Sequence, residues 1–188
     1  NKSNQIHIVL GLGRSGISAA KLLNSEGKNV LVLENNSNQK LINLSNKLKC
    51  EGINVILLSE PLHINNFTPW IGRISSITVS PGIDWEHKAL KELRCKNIST
   101  QGEVELAWER LNHIQSIGIT GTNGKTTVTN MLNHVLELNN LITDMGGNIG
   151  KPLSKIALES MKDNYQELNW LVLELSSYQI ESSPKVNP

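Results

Sequence analysis

The sequence predicts an α/β protein built from two parallel sheets in series, and two observations carry that prediction. Short apolar, β-rich runs alternate with amphipathic helical patterns along the 188 residues, and such alternation implies parallel strands covered by helices on both faces. Glycine-rich turns follow two of these runs, in HIVLGLGRSGIS (residues 7–18) and in ITGTNGKTT (residues 119–127). That is where an open α/β sheet places its ligands, beyond the carboxyl ends of its strands.

Each element has its own signal. QIHIVL (5–10) is a β-rich run, and the segment 15–26 carries Ile17, Ala20 and Leu23 at helical spacing before Gly27 stops it. NVLVLE follows as a buried-type strand, then a polar helix from about Asn38 to Cys50, the strand INVILL, an irregular stretch PLHINNFTPW, and the strand ISSITVS. QGEVELAWERL reads as a connecting helix, and SIGIT opens a second series. In TTVTNMLNHVLEL, Val128, Met131, Leu132 and Val135 fall at i, i+3, i+4 and i+7, a stripe expected to pack onto a sheet. NWLVLELS reads as a central strand. The expected division is a first domain over residues 1–101 and an incomplete second over 102–188, because the second series stops before a doubly wound sheet can close its core. A truncated chain is the expectation, and the absence of an initiator methionine agrees with it.

Composition excludes several classes of function. A hydrophobic fraction of 38% with mixed charge describes a soluble globular protein without a membrane-length apolar run. The opening NKSNQIHIVL lacks the pattern of a secretory signal, so the expected location is the cytoplasm. Cys50 and Cys95 stand far apart, which indicates neither a disulfide framework nor a zinc site; both are expected to be buried thiols. The five histidines are scattered, with no helical pairing that would share a metal. Net charge is +1, spread as 12 Lys+Arg against 7 Asp+Glu in residues 1–101 and 6 against 10 in 102–188. A mildly basic first half suits a small anionic ligand. No basic cluster with interleaved aromatics is present, so nucleic acid is not an expected partner.

Three groups of residues carry chemistry. Gly11, Gly13 and Gly16 allow a tight strand-to-helix turn whose amides can approach a phosphate, and Glu34 closes the next strand, where a carboxylate can accept from a ribose. A redox dinucleotide or a UDP-sugar satisfies this pattern, and a purely structural turn competes with both. Ser80 and Gly82, in VSPGID, lie at another strand end and are placed to contact the same ligand, unless the segment is a plain Pro-Gly turn. The stronger motif is G-x-x-G-K-T at Gly121 to Thr126, a shortened phosphate loop. Lys125 supplies a point charge for phosphates and the Thr126 hydroxyl can ligate Mg²⁺. Glu174 ends an apolar strand, where a bound Mg²⁺ or a buried salt bridge would offset the cost of its charge. Asn148, in GGNIGKP, offers a neutral side chain able to orient a carbonyl or phosphate.

With GLGRSG, VSPGI, TGTNGKTT, GGNIG and LELSSYQIE in this order, the chain resembles the Mur ligases of peptidoglycan synthesis, most of all the member that adds D-glutamate. The resemblance spans essentially the whole chain. It implies a Rossmann-like N-terminal domain followed by the beginning of a P-loop ATPase-like central domain. It also implies ATP and Mg²⁺ as cofactors, UDP-N-acetylmuramoyl-L-alanine and D-glutamate as substrates, and a monomer. By the same resemblance Gly13, Arg14, Ser15, Glu34, Asn35, Ser80 and Gly82 surround the uridine diphosphate. Thr122, Asn123, Gly124, Lys125, Thr126 and Thr127 surround the ATP phosphates, while Thr126 and Glu174 hold Mg²⁺. Asn148, Ser176 and Gln179 face the nucleotide-sugar substrate, with Lys125, Glu174 and Asn148 acting in catalysis. Glu34 departs from the family's usual aspartate. The family's metal-binding histidine, carbamylated lysine and glutamate-binding domain would lie beyond Pro188, so the chain alone is expected to be inactive. The rival readings are a dinucleotide-dependent oxidoreductase resting on GLGRSG and Glu34, a nucleotide-hydrolysing switch resting on TGTNGKTT, and another Mur or folylpolyglutamate-type ligase.

Overall fold

A computed structural model describes residues 5–59 and 62–188. The chain divides into two compact units, residues 1–102 and 103–188.

The first unit holds β1 (Ile6–Leu10), α1 (Arg14–Ser25), β2 (Val30–Glu34), α2 (Gln39–Cys50), β3 (Asn54–Leu57), β4 (Ile74–Val79), α3 (Lys88–Cys95) and β5 (Thr100–Gly102). Its five strands are parallel, in the order β3-β2-β1-β4-β5. After β1 the chain builds outward through β2 and β3, then returns to add β4 on the other side. The carboxyl ends of β1 and β4 therefore flank the switch point, where connections depart in opposite directions and leave a crevice. Ile8, Leu10, Leu31, Leu33, Ile77, Leu90 and Leu93 form the core with Phe67. Full burial of Phe67 alone removes a side chain worth about 1.5–3 kcal/mol from water.

Local signals set the helix ends. Asn38 caps α2 by accepting from the Leu41 amide at 3.0 Å. Gly27 adopts φ +71° just past α1, a conformation that costs a glycine little. The stretch expected to be irregular starts at Pro61, which lies outside the described residues. Ile64–Trp70 within it form a 3₁₀ helix, started by a capping box between His63 and Asn66. Helix α3 and strand β5 have no counterpart in the expectation; their brevity leaves too few residues for a visible period. The cysteines correct another expectation. Both are exposed, Cys50 as the last residue of α2 and Cys95 as the last residue of α3, each off its helix's buried face.

The second unit holds α4 (Glu103–Leu111), β6 (Gln115–Ile119), α5 (Lys125–Leu138), β7 (Thr143–Gly147), α6 (Leu153–Ser160), β8 (Trp170–Glu174) and α7 (Ser177–Glu181). Its three strands are parallel in the order β6-β8-β7, so β8 is central, as its unbroken apolar run predicts. Helix α4 packs on α6 through an apolar core that includes Val104, Ala107, Leu111, Leu153, Ile156 and Ala157. Helix α6 begins after Pro152, which offers no side-chain cap; the carboxylate of Glu103 substitutes for one, accepting from the Ser154 amide at 2.6 Å. Burial pushes the Glu103 pKa above the ordinary carboxylate range, against the opposing pull of the Ser154 amide.

Helix α5 forms where expected but faces the other way. Val128, Met131, Val135 and Leu138 are 51%, 63%, 53% and 68% exposed, whereas Thr129 and Asn133 are buried. The face turned to the three-stranded sheet carries Thr129 and Asn133 together with Leu132 and Leu136, which are half-buried, so of the expected stripe Leu132 alone faces inward. Polar groups there are satisfied: the Thr129 hydroxyl donates to the Lys125 carbonyl, and Asn133 accepts from the Thr143 hydroxyl and donates to Glu137.

Candidate functional site

In the first unit the glycine-rich turn is built by close approach. Gly11 has φ +93°, and Gly13 caps α1 in an extended conformation. A Cβ on Gly16 would collide with the Gly11 carbonyl oxygen and lie 2.9 Å from the Ser80 hydroxyl, so the turn closes only around a residue without a side chain. Ser80 follows β4 and its amide donates to the Leu10 carbonyl at 3.1 Å. Among the described residues its buried hydroxyl has no hydrogen-bond partner.

Glu34 ends β2 and accepts from the Leu12 amide at 2.6 Å through one oxygen and from the Asn36 amide at 2.9 Å through the other. Its carboxylate thus fixes the turn as well as bordering it. Arg14, Asn35 and Gly82 are exposed at the same end of the sheet, with Ser15 half-buried on the first turn of α1. The structure brings the seven expected residues of this unit to the carboxyl ends of β1, β2 and β4, around the switch point.

In the second unit strand register assembles the site. Ile119, Glu174 and Gly147 are aligned across the three strands, so the loops leaving β6, β8 and β7 emerge together. Residues 120–124 loop to the N-terminus of α5, with Gly121 at φ +142° and Gly124 at φ +78°. Such a left-handed cap suits glycine and leaves the first α5 amides facing outward as an anion site. Thr122, Asn123, Gly124 and Thr127 are exposed along this loop, and the Lys125 ammonium donates to the Gly121 carbonyl at 2.6 Å, arching over it.

Glu174 is 1% exposed. One oxygen accepts from the Thr126 hydroxyl at 2.8 Å and the other from the Asn148 side-chain amide at 2.6 Å. Hydroxyl and amide partners, rather than the salt bridge weighed from the sequence, satisfy this carboxylate. Asn148 also donates its backbone amide to the Glu174 carbonyl at 2.8 Å. Gly147, at φ +102°, is required there because a Cβ would meet that same carbonyl oxygen. Ser176 and Gln179 form the capping box that starts α7, and Gln179 is buried. Beyond that cap, the structure joins neither to the Thr126–Glu174–Asn148 group by a hydrogen bond.

The donor set fits a hard divalent cation. Glu174 and Thr126 present oxygens side by side, and Mg²⁺ commonly takes one or two protein oxygens with phosphates and water completing its shell. Among the described residues no cluster of three or more His, Cys, Asp or Glu could hold a metal unaided, so such a cation would need the nucleotide's own oxygens. Sequence reasoning missed Lys151, which bridges Asp144 at 2.8 Å and Glu159 at 2.9 Å just behind Asn148. The signal available was a lysine directly after GGNIG.

Parallel α/β units with a glycine elbow at one sheet and a shortened phosphate loop facing a buried carboxylate at the other define a phosphate-loop α/β protein. More narrowly, the chain belongs to the Mur ligase family: residues 5–102 match the Mur ligase MurD-like N-terminal domain and residues 119–187 the Mur ligase middle domain. A UDP-N-acetylmuramoylalanine–D-glutamate ligase from Prochlorococcus marinus (strain NATL2A) is 81% identical over 187 residues, covering 100% of this chain and 40% of the relative. One with the same name from Synechococcus sp. (strain CC9902) is 47% identical over 181 residues, covering 96% and 39%. The chain thus spans about 40% of the length of the curated relatives it matches. Among solved structures, the UDP-N-acetylmuramate:L-alanyl-gamma-D-glutamyl-meso-diaminopimelate ligase from Neisseria meningitides aligns with TM-score 0.52 at 18% identity, covering 92% of this chain and 52% of that one, a likeness of fold.

Proposed function

We propose that this chain supplies the uridine-nucleotide and ATP-binding parts of a cytoplasmic, monomeric ligase that joins D-glutamate to UDP-N-acetylmuramoyl-L-alanine. The observation that carries the reading is the buried Glu174 carboxylate meeting Thr126 at the mouth of a phosphate loop, in a chain 81% identical to a relative bearing that ligase name. No helix among the described residues is long and apolar enough to cross a membrane.

In this reading Gly13, Arg14, Ser15 and Asn35 border the uridine diphosphate. The buried hydroxyl of Ser80 and the turn amides at Gly82 serve its phosphates, and Glu34 orders the Leu12 amide beside them. Residues Thr122 to Thr127 cradle the ATP phosphates, with the Lys125 ammonium leaving the Gly121 carbonyl for phosphate oxygens. A carboxylate is a poor electrophile toward an amine, so phosphoryl transfer to the alanyl carboxylate yields an acyl phosphate that the D-glutamate amine attacks, releasing phosphate. Glu174 and Thr126 would hold Mg²⁺, which when bound would offset phosphate charge. The residues' own share is positioning and electrostatics: Lys125 neutralises, Asn148 orients Glu174, and Ser176 and Gln179 shape the wall after β8.

Titration of the chain with UDP-N-acetylmuramoyl-L-alanine, Mg²⁺-ATP and NADH tests this. The first two are expected to saturate, and NADH to bind weakly or not at all. Saturable NADH binding without uridine-nucleotide binding would restore the oxidoreductase reading.

A further inference from the structure

The segment that carries Asn148 is held from behind. The chain leaves β7 at Gly147 and enters α6 at Leu153. Within it Gly147 N–H donates to the Lys151 carbonyl at 3.2 Å and Lys151 N–H to the Met145 carbonyl at 3.3 Å. Gly147 and Gly150 both have positive φ, and a Cβ on Gly150 would lie 2.7 Å from the Met145 oxygen. The Lys151 ammonium sits 2.8 Å from Asp144 Oδ2 on β7 and 2.9 Å from Glu159 Oε2 on α6. One cation ties the strand before the loop to the helix after it. At the far end of the same loop, Asn148 makes its two short bonds to Glu174, at 2.6 and 2.8 Å.

We propose that Lys151 is a positioning residue: by pinning the loop between Asp144 and Glu159 it seats Asn148 against Glu174, and so sets the orientation in which that carboxylate meets a divalent cation. This rests on Glu174 being a cation ligand. Lys151 acts at a distance, through backbone geometry. A partner bonded directly to a metal ligand, as Asn148 is to Glu174, typically changes metal affinity about 10- to 100-fold when removed, and Lys151 acts one contact further back.

The probe is Mn²⁺ with ATP, followed by electron paramagnetic resonance, alongside amide hydrogen exchange at Asn148. Lys151→Met is expected to weaken Mn²⁺ retention, by less than the roughly 10- to 100-fold of a direct partner of the ligand, and to speed Asn148 exchange, with metal-free ATP affinity within about twofold of the parent chain. Lys151→Arg, which can still bridge two carboxylates, is expected to recover most of both losses. Where Lys151→Met does not fold, Asp144→Asn removes one anchor and is expected to give a smaller change in the same direction. Unchanged Mn²⁺ retention and unchanged Asn148 exchange in a folded Lys151→Met protein would overturn the proposal. The two readings separate cleanly: if the parent retains no more Mn²⁺ than Glu174→Gln, the cation site is wrong, and so is the metal half of this proposal. Asn148 exchange then still reports whether Lys151 pins the loop.

Discussion

Thr126 and Glu174, 48 residues apart in sequence, share a 2.8 Å hydrogen bond that ties the first turn of the phosphate-loop helix to the end of the central strand. Removing either partner has a different signature. Thr126→Val leaves a buried carboxylate oxygen unpaired and is expected to cost about 1–3 kcal/mol of stability as well as metal-dependent ATP binding. Glu174→Gln keeps the shape and is expected to lower Mg²⁺-dependent ATP affinity on the order of 10- to 100-fold with little change in melting temperature. Calorimetry with and without Mg²⁺ reads both. Equal ATP affinity for Glu174→Gln and the parent in Mg²⁺ contradicts the assignment.

The glycines of the first turn differ in what they tolerate. Gly16→Ala drives a methyl into the Gly11 carbonyl and the Ser80 hydroxyl, so we expect a loss of about 1–3 kcal/mol and of uridine-nucleotide binding. Gly13→Ala meets nothing within 4 Å and starts from φ −78°, so its stability is expected to stay within about 0.5 kcal/mol. Thermal melts of the two variants side by side check the contrast.

Glu103 makes stability depend on pH. Its folded pKa is raised by burial, so the folded state holds its proton more tightly than the unfolded chain. Its contribution is full below the ordinary glutamate value and erodes as pH rises through the raised folded value. Glu103→Gln, which still accepts from the Ser154 amide, is expected to match the parent near pH 4 and to melt higher than it near pH 8. Glu103→Ala is expected to melt lower at both, having lost the helix cap. A Glu103→Gln protein that melts below the parent at pH 8 contradicts this account.

The outward apolar arc of α5 is a solubility matter for this chain. Replacing Val135 and Leu138 by lysine is expected to leave stability within about 0.5 kcal/mol and to reduce self-association, measured by sedimentation at rising protein concentration. A large drop in melting temperature would show that these side chains are packed.

Much of this architecture was legible beforehand, and the failures have physical reasons. β1, β2 and β8 announce themselves as apolar runs because parallel central strands are buried on both faces. α3, β5, β7 and α6 were not seen: β7 reads TDMGG, with glycines where a strand normally shows bulky residues. Helix α5 was placed correctly and turned wrongly, since periodicity gives a helix its two faces without saying which one meets the sheet. At the site, Lys125, Thr126 and Glu174 were legible because each sits at a strand or helix end. The pairing of Asn148 with Glu174 was not, because it depends on the register of β7 against β8. Lys151 was hidden for a similar reason, its two carboxylates lying seven residues before it and eight after it.

The positions of Cys50 and Cys95, at the outer ends of two helices of the first unit, confine thiol chemistry to one half of the molecule. A maleimide dye or spin label applied to this chain attaches within the first unit. Ligand effects in that half can thus be followed by spectroscopy without engineering a background free of sulfhydryls.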